Sequence, residues 1–314
     1  MTERGVRSRR ITLTALCALL ALLVAGCGST EASDTPTQTT LGPFTQPLSG
    51  FQATRETVKV ADGLVRDYLL YLPPGGAKDS PLTLVYHGAD ATAEQAVGET
   101  DFVQAAAKDG SVVAFLQGYD DTWNEGAGDT PAHAAGMNDV EFTADVLHQI
   151  EQHHSIDPTR VAAAGFSNGA LLAELLGCRL AGSLTLIVPI AGPLPVSVSP
   201  GCRPKLPVSV LEMHGTADDA IPYAGGRFYG VGGGTTVLSA PASAARWSKL
   251  DGCRKRSQSS EASSQPAEIT TYTGCREHVA VALRTLEGVG HGWPEHIGTL
   301  VAEFLEQHPR ASRG

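Results

Sequence analysis

The run at residues 161–176, VAAAGFSNGALLAELL, constrains this chain more than any other stretch. It is apolar enough to be buried from end to end. Yet it sets Ser167 and Asn168 at its centre, between Gly165 and Gly169. A strand running into a helix through a very sharp turn accounts for all of this. Glycines two before and two after the serine remove side chains that would clash in such a turn. The serine then sits on strained backbone with its hydroxyl exposed, ready to act as a nucleophile. A bare G-x-S-x-G is also what an ordinary turn serine looks like in a chain with 35 glycines. The strand before and the helix after favour the nucleophile. The N–H of Asn168, at the positive end of that helix, is then a candidate donor to a developing oxyanion.

The rest of the body repeats the same alternation. PLTLVYHGA, SVVAFLQG, LTLIVPIAG, LPVSVLEMHG and VAVALRTLEG are short apolar runs that read as strands, and GLVRDYLLYLPPG is an alternating strand ending in a turn. NDVEFTADVLHQIEQHHSI, NGALLAELLGC, APASAARWSKLDG and GTLVAEFLEQH read as helices. In the first of them Val140, Leu147 and Ile150 share a face, and Asn138 with Glu141 forms a capping-box pattern. Continuous apolar strands alternating with helices predict an α/β fold, a mostly parallel sheet covered on both faces. GGRFYGVGGGTT reads as a mobile loop, and RKRSQSSEASSQPAE as a solvated excursion.

A serine nucleophile of this kind needs an acid and then a histidine, in that chain order, each just past a later strand. There are ten histidines, so position must decide. His291 lies in a Gly-rich loop directly after the last strand, whereas His296 and His308 fall on or near the terminal helix and His278 precedes the strand. The acid is Asp218 or its neighbour Asp219, just past the strand LPVSVLEMHG. Ligands gather at that edge of such sheets. A second oxyanion donor is expected from the loop after PLTLVYHGA, with Ala89 the candidate and Gly88 the alternative, while His87 reads as a structural hydrogen-bonder. Trp123, Asn124 and Trp293 flank the expected cleft, either as an aromatic wall or as packing.

The first residues are not part of this fold. RGVRSRR is a basic segment, and the apolar stretch after it spans about 15 residues, short of the roughly 20 a membrane span needs. Residues 1–26 therefore read as a secretory signal, with the export route left open by a partial twin-arginine pattern. VAGC resembles the lipobox of bacterial lipoproteins, which would make Cys27 a lipidated first mature residue holding the protein on the outer face of the cell membrane. Residues 27–50, rich in Ser, Thr, Pro and Gly, read as a flexible tether, and 51–314 as one catalytic domain. Net charge is −10, and removing residues 1–26 takes away four arginines and one glutamate to leave −13. So acidic a body argues against nucleic acid as a partner. Of the six cysteines, Cys178, Cys202, Cys253 and Cys275 remain after Cys17 and Cys27 are set aside. Four in an exported chain read as two disulfides, with three pairings possible. No CxxC spacing points to zinc.

Five pieces in order, HGAD, MNDVEF, RVAAAGFSNGALLAELLGC, HGTADDAIPYAGG and GVGHGWP, resemble the extracellular poly(3-hydroxybutyrate) depolymerase and feruloyl esterase group of α/β-hydrolases. The resemblance spans residues 56–305. It implies the α/β-hydrolase fold and a serine esterase with no metal or cofactor. It assigns the acid to Asp218, in the HGTxD segment. It implies the pairings Cys178–Cys202 and Cys253–Cys275. The chain departs from the group in having Ala170 where a further glycine is usual, and Ala89 where the oxyanion loop often has cysteine. It also stops soon after the last helix, which leaves no room for an appended polymer-binding module. The expected activity is hydrolysis of short-chain acyl, 3-hydroxyalkanoate or feruloyl-type esters by Ser167, His291 and Asp218. The alternatives are a serine peptidase on the same fold or a non-catalytic binding lipoprotein.

Overall fold

In the computed structural model residues 39–40, 50–61, 63–128, 130–230 and 233–311 are described. The expected signal segment, Cys27 and most of the expected tether lie outside them.

An eleven-stranded sheet organises the protein, in the order β1-β2-β3-β5-β4-β6-β7-β8-β13-β12-β11. Its centre is parallel: β5 (Val112–Leu116), β4 (Lys78–Tyr86), β6 (Ser155–Phe166), β7 (Leu186–Ile190), β8 (Ser209–Gly215) and β13 (Val281–Leu286). Every residue of β5, β7 and β8 is buried, as expected of strands covered on both faces. Antiparallel strands extend both sides. On one are β3 (Val65–Leu72), β2 (Gln52–Lys59) and the short β1 (Thr39–Thr40). On the other are β12 (Ala267–Thr273) and β11 (Lys255–Glu261).

After a one-turn helix, α3 (Pro131–Ala134), helices α4 (Asp139–His153), α5 (Asn168–Arg179) and α6 (Ala240–Leu250) bring Phe142, Leu172 and Trp247 to one face, against Leu82, Leu84 and Val161. Helices α1 (Ala93–Glu99), α2 (Phe102–Asp109) and α7 (Ile297–Gln307) bring Ala93, Val103 and Val301 to the other, against Val85, Ala162 and Ala164. Successive strand residues thus feed opposite cores, which is the period-two consequence of the pleat. The two disulfides are Cys178–Cys202, at the end of α5, and Cys253–Cys275, which closes the β11–β12 hairpin. Closing loops of 24 and 22 residues contributes on the order of 3 kcal/mol each in the chain-entropy account.

Three local readings differ. The polar segment 254–268, expected as a solvated excursion, is solvent-exposed but regular, contributing β11 and the start of β12. Its exposed Ser, Gln, Lys and Arg side chains suit a sheet edge that must not recruit another strand. The Gly-rich segment forms a second, two-stranded sheet, β9 (Gly226–Gly230) paired with β10 (Gly233–Val237). At the start of α4, Asn138 Oδ1 accepts from the Glu141 N–H at 3.2 Å, but Glu141 reaches back to the Asn138 side-chain amide at 2.8 Å instead of its backbone. The capping box is half formed.

One buried feature is destabilising. Glu212, on β8, and Glu174, on α5, sit inside the α5/α6 side of the core. Ser243 and the Trp247 indole donate to Glu174 at 3.1 and 2.6 Å, but both carboxyl oxygens of Glu212 are buried without a partner. Burial, and the proximity of Glu174, push the Glu212 carboxyl well above the usual range. Its folded form therefore holds a proton that the unfolded chain releases above about pH 4.5. The stabilising contribution is full below that pH and is lost as pH rises. We expect Tm to fall between pH 5 and pH 8. Glu212→Gln should flatten that slope and raise stability at pH 8 by on the order of 1–3 kcal/mol, read by calorimetry across the pH series. An unchanged slope would show that Glu212 is not the source.

Candidate active site

Four loops leave the C-terminal ends of parallel strands at the same edge of the sheet, and they carry the candidate residues. Ser167 follows β6, Ala89 follows β4, Asp218 follows β8 and His291 follows β13. This is the edge where such sheets bind ligands.

The turn at Ser167 is as tight as its sequence implies. Ser167 has φ 55° and ψ −118°, a backbone conformation that is strained for any residue with a Cβ. A Cβ at Gly165 would collide with the carbonyl of Gly169. One at Gly169 would lie 2.5 Å from the carbonyl oxygens of both Tyr86 and His87. Only hydrogen fits at either position, so the helix can pass directly over the ends of β4 and β6. Ala170 is accommodated because the residue facing it is Gly192, where an added Cβ would come within 2.7 Å of the alanine methyl.

Ser167 Oγ lies 2.9 Å from His291 Nε2, and His291 Nδ1 lies 2.8 Å from Asp218 Oδ2. A carboxylate only accepts, so Nδ1 carries the proton and donates to Asp218. Nε2 is then free to accept from the serine hydroxyl. The Asp218 side chain is fully buried, and that of His291 is 20% exposed. Burial alone would push the Asp218 carboxyl up. Hydrogen bonds from His214, His291 and the N–H of Ile221, together with the imidazole charge, outweigh it and hold the carboxyl well below the usual range. Asp218 Oδ1 accepts from the N–H groups of Ala220 and Ile221 at 3.0 and 2.9 Å. Asp219 is exposed.

His214 is a further residue of this cluster, not anticipated above. It is buried on β8, and its Nε2 lies 3.2 Å from Asp218 Oδ2 and 2.9 Å from the Ile221 carbonyl. It therefore donates to the loop that carries the acid. Its place four residues before Asp218, in the HG of HGTADD, is the sequence signal that could have found it.

Trp123 is fully buried and lines no wall. Its N–H donates to Asn168 Oδ1 at 2.8 Å, its carbonyl accepts from Asn168 Nδ2 at 3.3 Å, and its indole N–H donates to the His87 carbonyl at 2.9 Å. It therefore ties the loop bearing Ala89 to the turn bearing Ser167. His87 accepts from the Gly118 N–H through Nε2 at 3.0 Å and donates from Nδ1 to the Gly88 carbonyl at 2.7 Å. Burial lowers its pKa and keeps it neutral, which suits a structural role. Trp293 stacks on Phe166 with ring centroids 5.2 Å apart, and Phe166 lies 4.6 Å from the His291 ring.

A cavity of about 50 Å³ adjoins Ser167. Ala89 and Asn168 border it with Leu171, Ile221 and Phe228, the last on the β9–β10 hairpin. The hairpin segment expected to be a loop near the acid is thus a wall of the cavity. Glu125 borders the cavity too, and the sequence reading missed it. It is 1% exposed, and its Oε2 has no hydrogen-bond partner. Burial pushes its carboxyl up to about 7, against the pull of its own N–H, the Gly128 N–H and the Asn168 side chain.

Residues 66–192 match the family model described as Esterase PHB depolymerase. Feruloyl esterase B of Piromyces equi is 31% identical over 251 residues, covering 77% of this chain and 45% of that protein. The bifunctional acetylxylan esterase/xylanase XynS20E of Neocallimastix patriciarum is 28% identical over 52% of this chain and 23% of its own length. The chain thus spans less than half of either relative. Among solved structures, acetyl xylan esterase from Aspergillus awamori superposes with a TM-score of 0.55 at 13% identity, over 87% of this chain and 99% of that one. That likeness shows the α/β-hydrolase fold. Residues 66–192 thus resemble esterases of the PHB depolymerase type, and the chain is similar to a feruloyl esterase and an acetylxylan esterase over part of their length.

The two adjacent aspartates give a direct test of this geometry. Asp218→Asn should slow fluorophosphonate labelling of Ser167 by on the order of 1,000-fold or more, because the imidazole loses the partner that fixes its tautomer. Asp219→Asn should change the labelling rate less than about twofold, since an exposed carboxylate outside the network contributes little. Equal losses in the two variants would remove Asp218 from its role.

Proposed function

We propose that this chain, grouped with the polyhydroxybutyrate depolymerase- and feruloyl esterase-like α/β-hydrolases, is a serine esterase that cleaves carboxylic esters through an acyl-enzyme on Ser167. The observation that carries this reading is the unbroken relay of 2.9 and 2.8 Å contacts from Ser167 Oγ through His291 to a buried Asp218.

In this reading His291 Nε2 takes the serine proton as Oγ attacks the ester carbonyl. Asp218 holds the imidazole and stabilises its charged form. The N–H groups of Asn168 and Ala89 receive the oxyanion, an interaction whose loss typically slows such enzymes ~100- to 1,000-fold per donor. The imidazolium then gives its proton to the departing alkoxide. Water, activated by the same nitrogen, returns the free acid and Ser167.

The cavity beside Ser167 narrows the substrate. Its roughly 50 Å³ has room for about three to five water-sized atoms. That favours a short acyl group over a feruloyl ring, which would have to lie outside it. Two disulfides suit an oxidising compartment. Together with the signal-like residues 1–26 and the lipobox-like VAGC, they support an exported protein tethered to the membrane through Cys27, acting on small or oligomeric esters.

We expect Ser167→Ala to abolish fluorophosphonate labelling and to lower p-nitrophenyl acetate turnover by more than about 1,000-fold. Across an acyl series run beside methyl ferulate, kcat/KM should peak at two to four carbons, on the order of the cavity's capacity. Full turnover by purified Ser167→Ala would assign the chemistry to another site.

A further inference from the structure

The β9–β10 hairpin turns one side chain toward Ser167. In β9 every residue but Phe228 is exposed. Arg227 and Tyr229 share the outward face, where the guanidinium lies 5.3 Å from the Tyr229 ring centroid and Tyr229 is 78% exposed. Phe228 faces the other way. It packs on the buried side chains of Leu171, Ile221 and Val237, a small cluster apart from the two cores that flank the sheet. Phe228, Leu171 and Ile221 also border the cavity beside Ser167. The hairpin adds little else to that border. Gly230 has no side chain, and a Cβ added there would lie 3.5 Å from the Phe228 ring. Thr235 is buried, and its hydroxyl donates to the Ala127 carbonyl at 3.2 Å. The phenyl ring is therefore the hairpin's bulk at a cavity of only about 50 Å³.

β10 fixes where the ring stands. Thr235 is the cross-strand partner of Phe228. Next to it the Val196 N–H donates to the Thr236 carbonyl at 2.9 Å, Pro195 bridges to Val237, and the Leu238 N–H donates to the Leu194 carbonyl at 3.0 Å. The strand behind the ring is thus tied to the segment after β7, and through Thr235 to the loop after β5. The chemistry says which part of an ester meets the ring. A leaving alkoxide must come within reach of His291 Nε2 to receive its proton. Ser167, Asn168 and Ala89 border the cavity, whereas His291 is not among the described residues on its border. A carbonyl held by Asn168 and Ala89, with its leaving oxygen toward His291, turns its acyl chain toward Phe228.

We propose that Phe228 is a specificity-determining residue whose ring forms the end wall of the acyl site and sets how long an acyl chain fits beside Ser167. The inference rests on the esterase reading and deepens it. Leu171 belongs to α5 and Ile221 to the loop that carries Asp218, so neither can change without disturbing the catalytic geometry. Phe228 is half-buried on a strand otherwise in solvent, so its ring can be trimmed without opening either core.

Two ester series test this. The acyl series is p-nitrophenyl acetate, butanoate, hexanoate and octanoate. The alcohol series is ethyl, butyl and hexyl acetate. Phe228→Ala should raise the octanoate-to-butanoate ratio of kcat/KM at least about 10-fold over wild type, since each substrate methylene newly buried is worth about fourfold. Phe228→Leu, which keeps a smaller apolar side chain, should raise it at least about threefold and serves if the alanine variant fails to fold, as judged by its melting curve. The hexyl-to-ethyl ratio of the alcohol series should stay within about twofold of wild type in both variants, because a hairpin that was merely loosened would open the site to both series. A ratio unmoved in the acyl series would overturn the proposal, and so would a shift as large in the alcohol series. Either failure would leave hydrolysis itself intact. A wild type inactive on every ester would instead count against the esterase reading, and the proposal would fall with it.

Discussion

The active-site geometry depends on how closely the N-terminus of α5 approaches the ends of β4 and β6. At Gly169 the helix backbone touches the Tyr86 and His87 carbonyls with no room for a methyl group, and at Gly165 the strand touches the helix in return. That approach forces Ser167 to φ 55° and lifts its hydroxyl out of the sheet edge. It also brings the helix N-terminus to within a side chain's length of the loop after β4. Both candidate oxyanion donors, Asn168 and Ala89, therefore stand at one cavity without either loop reaching far. Strain of this size, of order 1–3 kcal/mol at one residue, persists only when its surroundings fix it from several directions.

Those surroundings form a chain of buried polar contacts. Arg66 on β3 pairs with Asp139 at the start of α4. Asp139 receives the Asn124 N–H, Trp123 clasps the Asn168 side chain, and its indole holds the His87 carbonyl. A buried arginine–aspartate pair is weak as a source of stability but effective at fixing one arrangement among several. Here it fixes the loop on which Trp123 and Glu125 stand. The MNDVEF segment, which as sequence looked only like a helix start, supplies the aspartate that anchors this loop.

What was legible in the sequence follows from range. The apolar runs of β4 to β8 and β13 could be read because a strand covered on both faces is mostly apolar along its buried length. The turn at Ser167 could be read because its constraint lies within five consecutive residues. Helices α1 and α2 went unread, although Thr92 and Gln95 carry a capping-box signature that the structure completes. Strand β2 also went unread, because it has few buried residues and joins the sheet by antiparallel pairing with β3. The Gly-rich segment 225–237 was misjudged for a related reason. Glycine content reports permitted conformations, whereas the β9–β10 pairing, and its contact through Pro195 and Val237, are set by partners distant in the chain. Glu125 was invisible for the strongest form of that reason. One glutamate in a Gly-rich loop reads as solvated, and only the folded chain shows it sealed beside Ser167.

Glu125 and Glu212 are chemically alike, both carboxyl groups with buried, unpartnered oxygens and a raised pKa. Their surroundings separate them. Glu212 lies in the middle of a fully buried strand, close to Glu174, so its only expression is in stability. Glu125 is buried in the wall of the cavity beside Ser167, on a loop that an ion pair and a doubly bonded tryptophan hold still.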